Sequence, residues 1–400
     1  MIRKIFKYVG IAVACLVVVV FSCALLYRKY LQHKVAEKRA ITSKHGIDSL
    51  ASVRIGGIYQ WIEVRGENVD HPILLWIHGG PGVAFIPLAG AFQGPLEKYF
   101  TVVQWDQRGA GKTYVSNNEE LQRSTMNFPQ MEQDTLEVAN YLRNRFKREK
   151  IFVLGHSWGS VLGLWLAHEH PEMIYAYVGV GQLINTKQNQ QALYQDELQQ
   201  ARDRHNEQAI KQLESIAPYP TPNFDFKKDS VVHNWSDELL GPPPSEAAFI
   251  NGRRIVSDLL SSPEYSLADD YGFIKGQQFS LGIFIPQMDN VDLKKLGFDF
   301  REPIFFFEGR HDPACRPSLI WDYSQRSRLR KRDSSGSTIP AISHFTRSKR
   351  NLEFNWSSRF CLWPRITRAA TSFLRIMASL EYSFLEPLGA PGLFCQAMSF

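Results

Sequence analysis

Four hundred residues, 44% apolar and 12% aromatic, hold enough material for one large core plus an insertion and exclude a disordered chain. The formal charge of +6 divides into +8 from residues 326–400 and −2 from the rest, so the basic balance belongs to one tail and gives no argument for nucleic-acid binding by the folded body. Of the five cysteines, Cys15 and Cys23 lie in an apolar run, Cys361 and Cys395 in the tail, and Cys315 in the body, which excludes a disulfide framework.

Tyr8 to Tyr27 is a run of 20 residues without a charge, bracketed by Arg3, Lys4 and Lys7 and by Arg28 and Lys29. As a helix it matches the hydrocarbon thickness of a bilayer, so residues 1–30 read as an uncleaved, single-pass membrane anchor. A cleaved signal peptide with Ser22-Cys23-Ala24 as its site, or a lipoprotein acylated at Cys23, are the competing readings. The run is long for the first, and Phe21 suits the second poorly. The side of the membrane stays open, because Arg28, Lys29, Lys34, Lys38 and Arg39 favour a cytoplasmic domain while signal-anchor habit favours an external one.

A polar linker, residues 31–50, precedes "SVRIGGIYQWIEVRG", which reads as two strands joined at Gly56-Gly57. "PILLWIHGG" and "TVVQWDQRG" are buried strands, Met131 to Arg148 a helix, "IFVLGHSWG" a strand entering a tight turn, Val161 to Glu169 a helix and "AYVGVGQ" another strand. Short continuous apolar strands alternating with helices predict an α/β fold, a mostly parallel sheet with helices on both faces, over residues 51–182. Residues 183–297 lose that rhythm in a Gln-rich, acidic, helical stretch punctuated by "GPPPS", and are predicted to be a helical cap inserted between core strands. "EPIFFFEGRHD" resumes the sheet, with 298–325 as the second part of the core.

Gly155-His156-Ser157-Trp158-Gly159 follows a strand and precedes a helix. Glycines two before and two after a serine on a sharp strand-to-helix turn leave room for a nucleophile, which makes Ser157 the candidate. His156, adjacent on the same turn, points elsewhere and is read as structural. "HGGPG", His78 to Gly82, lets backbone approach a ligand, so N–H groups near Gly80 and of Trp158 are the candidate oxyanion donors. "DQRGAGKT" fails as a phosphate loop, since the position five before Gly111 is Asp106 rather than glycine; Asp106 and Arg108 are read as loop-ordering. In "EGRHDP" Asp312 stands where the acid of a Ser…Asp…His order belongs, and His311 is too close in sequence to that acid to be its partner. No metal-ligand spacing or dinucleotide loop is present, so no cofactor is implied.

"HGGPG", "DQRGAGKT" and "GHSWGS", in that order and spacing, resemble the proline iminopeptidase branch of the α/β-hydrolase fold over roughly residues 50–325. The resemblance implies a serine hydrolase that removes N-terminal residues, often proline, from peptides or small amides, with a helical cap selecting for a free amine. Esterases and other amidases share the same segments. No acidic residue of the cap matches the family's amine-binding carboxylates.

That fold requires a helix, a strand, a base-bearing loop and a closing helix after its acid, and "RSRLRKRDSSGSTIP" shows no legible strand. Residues 326–400 therefore read as a frameshifted tail, beginning where the charge changes. Reading from the third base of each codon permits an aromatic strand, a Ser-Gly-His-Phe loop and an apolar-periodic helix, with the histidine codon straddling Ala341 and Ile342. His344 is the provisional base of the chain as written. The alternative is an inactive pseudo-hydrolase whose sheet edge at "PIFFF" is exposed.

Overall fold

The computed structural model describes residues 2–240, 252–309, 312, 314–329, 339–340 and 342–346. "GPPPS", His311, most of the Arg/Ser run after Leu329, Ala341 and everything past Thr346 lie outside the described residues.

Helix α1, Ile2–Lys38, is followed by a hairpin of β1, Ile47–Ile55, and β2, Ile58–Gly66. Helix and strand thus take both ends of the expected linker. The hairpin turns at Gly56 and Gly57, both with positive φ, as their lack of a Cβ permits. Next come β3, Ile73–Ile77; the short α2, Gly94–Glu97; β4, Thr101–Asp106; α3, Gly111–Ser116; and α4, Glu119–Thr125. Helix α5, Phe128–Phe146, starts three residues before the predicted Met131 because Asn127 caps it, its side chain accepting from Gln130 N. It stops short of Arg148 because Lys147 turns left-handed at φ 51°. Strand β5, Ile151–His156, leads through Ser157 into α6, Trp158–Glu169, and β6, Ile174–Val180.

Among the described residues five helices then intervene: α7, Thr186–Asp203; α8, Glu207–Ser215; α9, Phe226–Leu240; α10, Gly252–Ser261; and α11, Leu267–Met288. The last elements among the described residues are β7, Asp299–Phe300; β8, Ile304–Glu308; α12, Pro317–Arg326; β9, Arg328–Leu329; β10, Ile339–Pro340; and β11, Ile342–Thr346.

Eight strands form one sheet in the order β1-β2-β4-β3-β5-β6-β8-β11, antiparallel at β1/β2 and β2/β4 and parallel throughout the rest. Alternation along the strands splits the core between two faces. Ile73, Leu75, Ile77 and Phe306 join the helices α5 and α6 on one side, while Leu74, Trp76, Phe305 and Phe307 join Phe85, Phe92 and Phe273 on the other. Helices α7, α8 and α9 pack around a separate small core that includes Leu193, Leu213 and Trp235.

The expectation of no strand after Gln325 is corrected by β11, which pairs in parallel with β8 from Ile342↔Ile304 to Thr346↔Glu308. The edge of "PIFFF" is covered rather than exposed. Five residues, Ile-Ser-His-Phe-Thr, give too short and too polar a run to read as a strand alone; the unpaired backbone of β8 supplies what propensity does not.

Candidate active site

Ser157 stands at the carboxyl end of β5 with φ 50° and ψ −117°, a region that non-glycine residues rarely occupy. The surrounding packing imposes it. A Cβ on Gly155 would lie 2.6 Å from Gly159 O, and one on Gly159 would lie 2.6 Å from His78 O and closer still to Ile77 O. Ser157 N donates to Val180 O at 2.9 Å, tying the turn to the end of β6. Ser160, one turn into α6, accepts from Leu183 N through Oγ at 3.0 Å and from Tyr177 Oη through its carbonyl at 3.0 Å, so the helix start is fixed from two sides.

The glycine turn after β3 runs against this serine: a Cβ on Gly79 would come within 3.3 Å of Ser157 Cβ. Gly80 and Gly82 have φ of 122° and 84°. His78 is buried; its Nδ1 donates to Gly79 O at 2.7 Å, and its Nε2 accepts from Gln107 N at 3.3 Å. Burial pulls its pKa down to about 4, in keeping with a neutral ring in this tautomer. Gln107 bridges the two halves of the turn, donating to His78 O at 3.1 Å and accepting from Trp158 Nε1 at 3.0 Å. Sequence reading passed over Gln107, although it lies within the "DQRG" segment that marked its neighbours. His156 packs its ring on Phe85, with centroids 5.7 Å apart, and burial lowers its pKa to about 4.

The loop-ordering reading of Asp106 and Arg108 holds. Arg108 and Asp134 are fully buried and joined by two hydrogen bonds of 2.9 and 3.0 Å, and Arg108 also donates to Gly56 O and Thr125 Oγ1. Asp106 accepts from Lys112 N at 2.9 Å and from the Tyr265 hydroxyl. Burial pushes the Asp106 carboxyl up to about 7. Lys112 spends its ammonium on Asp269, 2.7 Å away, and lies 4.6 Å above the Trp61 ring. Helix α11 closes the far side: a Cβ on Gly82 would strike Gln277 Cα at 2.9 Å, and Ser280 donates to Gly109 O at 2.9 Å.

Asp312 follows β8 at the same end of the sheet. Its Oδ1 accepts from Ala314 N and Cys315 N at 2.8 and 3.0 Å, and a Cβ on Gly181, next to the Ser157-bonded Val180, would lie 3.9 Å from Oδ2. Burial raises the Asp312 pKa, opposed by those two amides and by Arg316. A second acid, unremarked in the sequence, ends β8: Glu308 is buried, accepts from Gln182 N at 2.8 Å, and is pushed well above the usual carboxylate range by desolvation. The signal was a charged residue closing an otherwise apolar strand. His344 lies in β11 opposite Phe306, two positions short of the ladder's end at Thr346↔Glu308. The structure therefore brings Ser157, the glycine turn and Asp312 to one end of the sheet, and places the His344 backbone inside the ladder.

Residues 72–337 match the family model for the alpha/beta hydrolase fold. A probable aminopeptidase of Bacillus subtilis is 27% identical over 71% of this chain and 87% of its own length. A proline iminopeptidase of Arabidopsis thaliana is 33% identical over 29% of this chain and 28% of its own, and one of Neisseria meningitidis is 22% identical over 68% and 84%. Among solved structures, a membrane phospholipase A is similar in fold at 14% identity, with a TM-score of 0.53 over 95% of this chain and 99% of that one. The matches to proline iminopeptidases are distant, and several are partial. The chain belongs to the alpha/beta hydrolase fold family.

Proposed function

We propose that the protein is a membrane-anchored serine hydrolase of the proline iminopeptidase kind, cleaving an N-terminal residue, prolyl in the first instance, from a peptide or small amide. The observation that carries this reading is the backbone of Ser157: a non-glycine residue at positive φ costs of order 1–3 kcal/mol, and such strain gathers at catalytic turns. In this mechanism Ser157 Oγ bonds to the substrate carbonyl carbon while the base takes its proton. The N–H groups of Gly80 and Trp158 hold the oxyanion, one such donor being worth roughly 3–4 kcal/mol. The base then protonates the departing amine, and water, activated in the same way, releases the acyl group. Asp312 orients the base and stabilises its cation. The reaction so written consumes only water.

In the chain as written, His344 is only the provisional base. A second reading is favoured by its register opposite Phe306: the chain is frameshifted near residue 326, its proper base belongs to the Ser-Gly-His-Phe loop of the other frame, and the written form is a pseudo-hydrolase. The test assays prolyl amide hydrolysis by the written chain, the frame-restored chain, and Ser157→Ala in each. The expected result is an active restored enzyme, loss of activity on Ser157→Ala, and a written chain slower by about 10⁶. Equal activity of the written and restored chains would assign the base to His344. A restored chain active on esters but inert on prolyl amides would move the activity to the esterase class. Sequencing the gene through codon 326 decides the frameshift itself.

The anchor is α1, whose apolar segment is exposed along its length from Ile5 to Tyr27 and is long and apolar enough to cross a bilayer.

A further inference from the structure

The apolar segment of α1 passes into the folded body without a spacer. Tyr27 is 63% exposed, whereas Arg28 is 8% exposed and Gln32 6%. Arg28 and Gln32, four residues apart, lie on the side of α1 that meets the body, and Arg39 follows directly after the helix ends at Lys38. Arg28 pairs with Asp270 at 2.8 Å and donates to Leu260 O and Tyr265 O; Gln32 donates to Ser262 O at 2.7 Å and Tyr265 O at 3.0 Å; Arg39 pairs with Glu264 at 2.7 Å. Each bond reaches the end of α10, the start of α11 or the turn between them. At a rise of about 1.5 Å per residue, the last apolar residue and the first docked one are about a helical turn apart or less. If α1 crosses a bilayer, that turn must lie at its surface.

Among the described residues, the same place carries an exposed apolar face. Val256 and Leu260 on α10, and Leu267, Tyr271 and Ile274 on α11, are spaced as neighbours along each helix and range from 41% exposed at Leu260 to 56% at Tyr271. The stripe ends with distance from the clamp: the exposed positions of α11 that follow Ile274 are Lys275, Gln278, Gly282 and Pro286, none of them a large apolar side chain. A band of exposed large apolar side chains that stops further along one helix is the pattern of a surface entering a headgroup layer from one end.

We propose that Val256, Leu260, Leu267, Tyr271 and Ile274 form a membrane-contacting face, set into the headgroup layer of the same bilayer that α1 crosses and held there by the Arg28–Gln32–Arg39 clamp. The proposal rests on the anchor reading above. It makes α11 the link between membrane and active site, because Gln277 and Ser280 press on the glycine turns at Gly82 and Gly109, about 9 and 14 Å beyond Tyr271 along the helix.

The experiment uses the full chain in phosphatidylcholine vesicles made with or without brominated acyl chains. Cys23, Cys361 and Cys395 are replaced by serine, and a bimane label reports from Cys15, or, with Cys15 also replaced, from Ile274→Cys, Leu267→Cys or Glu149→Cys. Brominated lipid is expected to quench the labels at 15, 267 and 274 by about twofold or more and to leave that at 149 unchanged. Quenching at 15 without quenching at 267 and 274 overturns the membrane-contacting face and spares the anchor. No quenching at 15 overturns both. Labels at 267 and 274 shielded from brominated lipid and from aqueous iodide alike would show another protein surface covering the face, which also overturns the proposal.

Discussion

The Arg108–Asp134 pair fixes the loop that carries Gln107 and Gly109 to the candidate site, and its removal tests how far that site depends on a buried charge. Both side chains are fully buried, and Asp134 also accepts from Gln60 at 2.8 Å and Gln130 at 2.7 Å. Arg108→Met leaves a buried carboxylate with two neutral donors and no countercharge, a change that costs about 3–5 kcal/mol. At roughly 2 °C per kcal/mol for a large domain, the thermal midpoint should fall by about 6–10 °C. Asp134→Leu should cost a similar amount, stranding the guanidinium instead. The double variant Arg108→Met/Asp134→Leu should be less damaged than the sum of the singles by about 2 kcal/mol or more, since neither charge is left alone. Circular dichroism melts of the four full-length proteins in one detergent give the cycle. A single-variant shift below about 2 °C, or strict additivity, would refute the claim that the pair acts as a buried unit.

Gln107→Leu removes the bridge between Trp158 Nε1 and His78 O, so turnover of a prolyl amide by the frame-restored chain should fall about tenfold or more with KM little changed; a rise in KM alone would place Gln107 in substrate binding instead. Gly159→Ala forces a Cβ against Ile77 O and His78 O and should cost about 1–3 kcal/mol or more in a thermal melt, while an unshifted midpoint would contradict the close approach of β3 to the turn. Glu63 is raised from 4.5 to about 8, chiefly by desolvation and against the pull of Arg39. The folded state thus keeps a proton that the unfolded state releases, and stability should decline as pH rises from about 4.5 to about 8, then level off. Glu63→Gln should flatten that decline; melts across this range that keep the full slope in the variant would remove Glu63 as its source.

What could be read from the sequence followed from local rules. Continuous apolar strands such as "ILLWI" announced a sheet buried on both faces, and the two-residue glycine turn announced the β1–β2 hairpin. The turn glycines around Ser157 were legible because each answers a close backbone approach: Gly155 to Gly159, and Gly159 to Ile77 and His78. The misses were partnerships made across the fold. Asp134 gave no sign in sequence that Arg108 would reach it from a loop 26 residues earlier, and Arg28, read only as a positive flank, turned out to hold Asp270 from 242 residues away. Glu308 and Gln182 met only when β6 and β8 paired, 126 residues apart. Spacing carries no trace of such contacts, because the sheet order alone creates them.

Strand β11 separates what the fold needs from what the chemistry needs. The outer edge of β8 presents unpaired N–H and C=O groups that must be covered, and any short segment able to extend can do so. Ile342–Thr346 meets that demand in parallel register after α12, as a crossover connection in a parallel sheet requires. Catalysis makes a narrower demand: a histidine past the end of that strand, within reach of both Ser157 and Asp312. The register sets His344 opposite Phe306, while Asp312 lies four residues beyond Glu308, the partner of the ladder's last residue. A tail read in the wrong frame, as proposed above, would satisfy the sheet by backbone pairing with β8, without strand propensity of its own, and still miss the base. Coverage of β8 in the written chain is thus no evidence that the written chain is active, and only the rates of the written and restored chains compared side by side bear on that question.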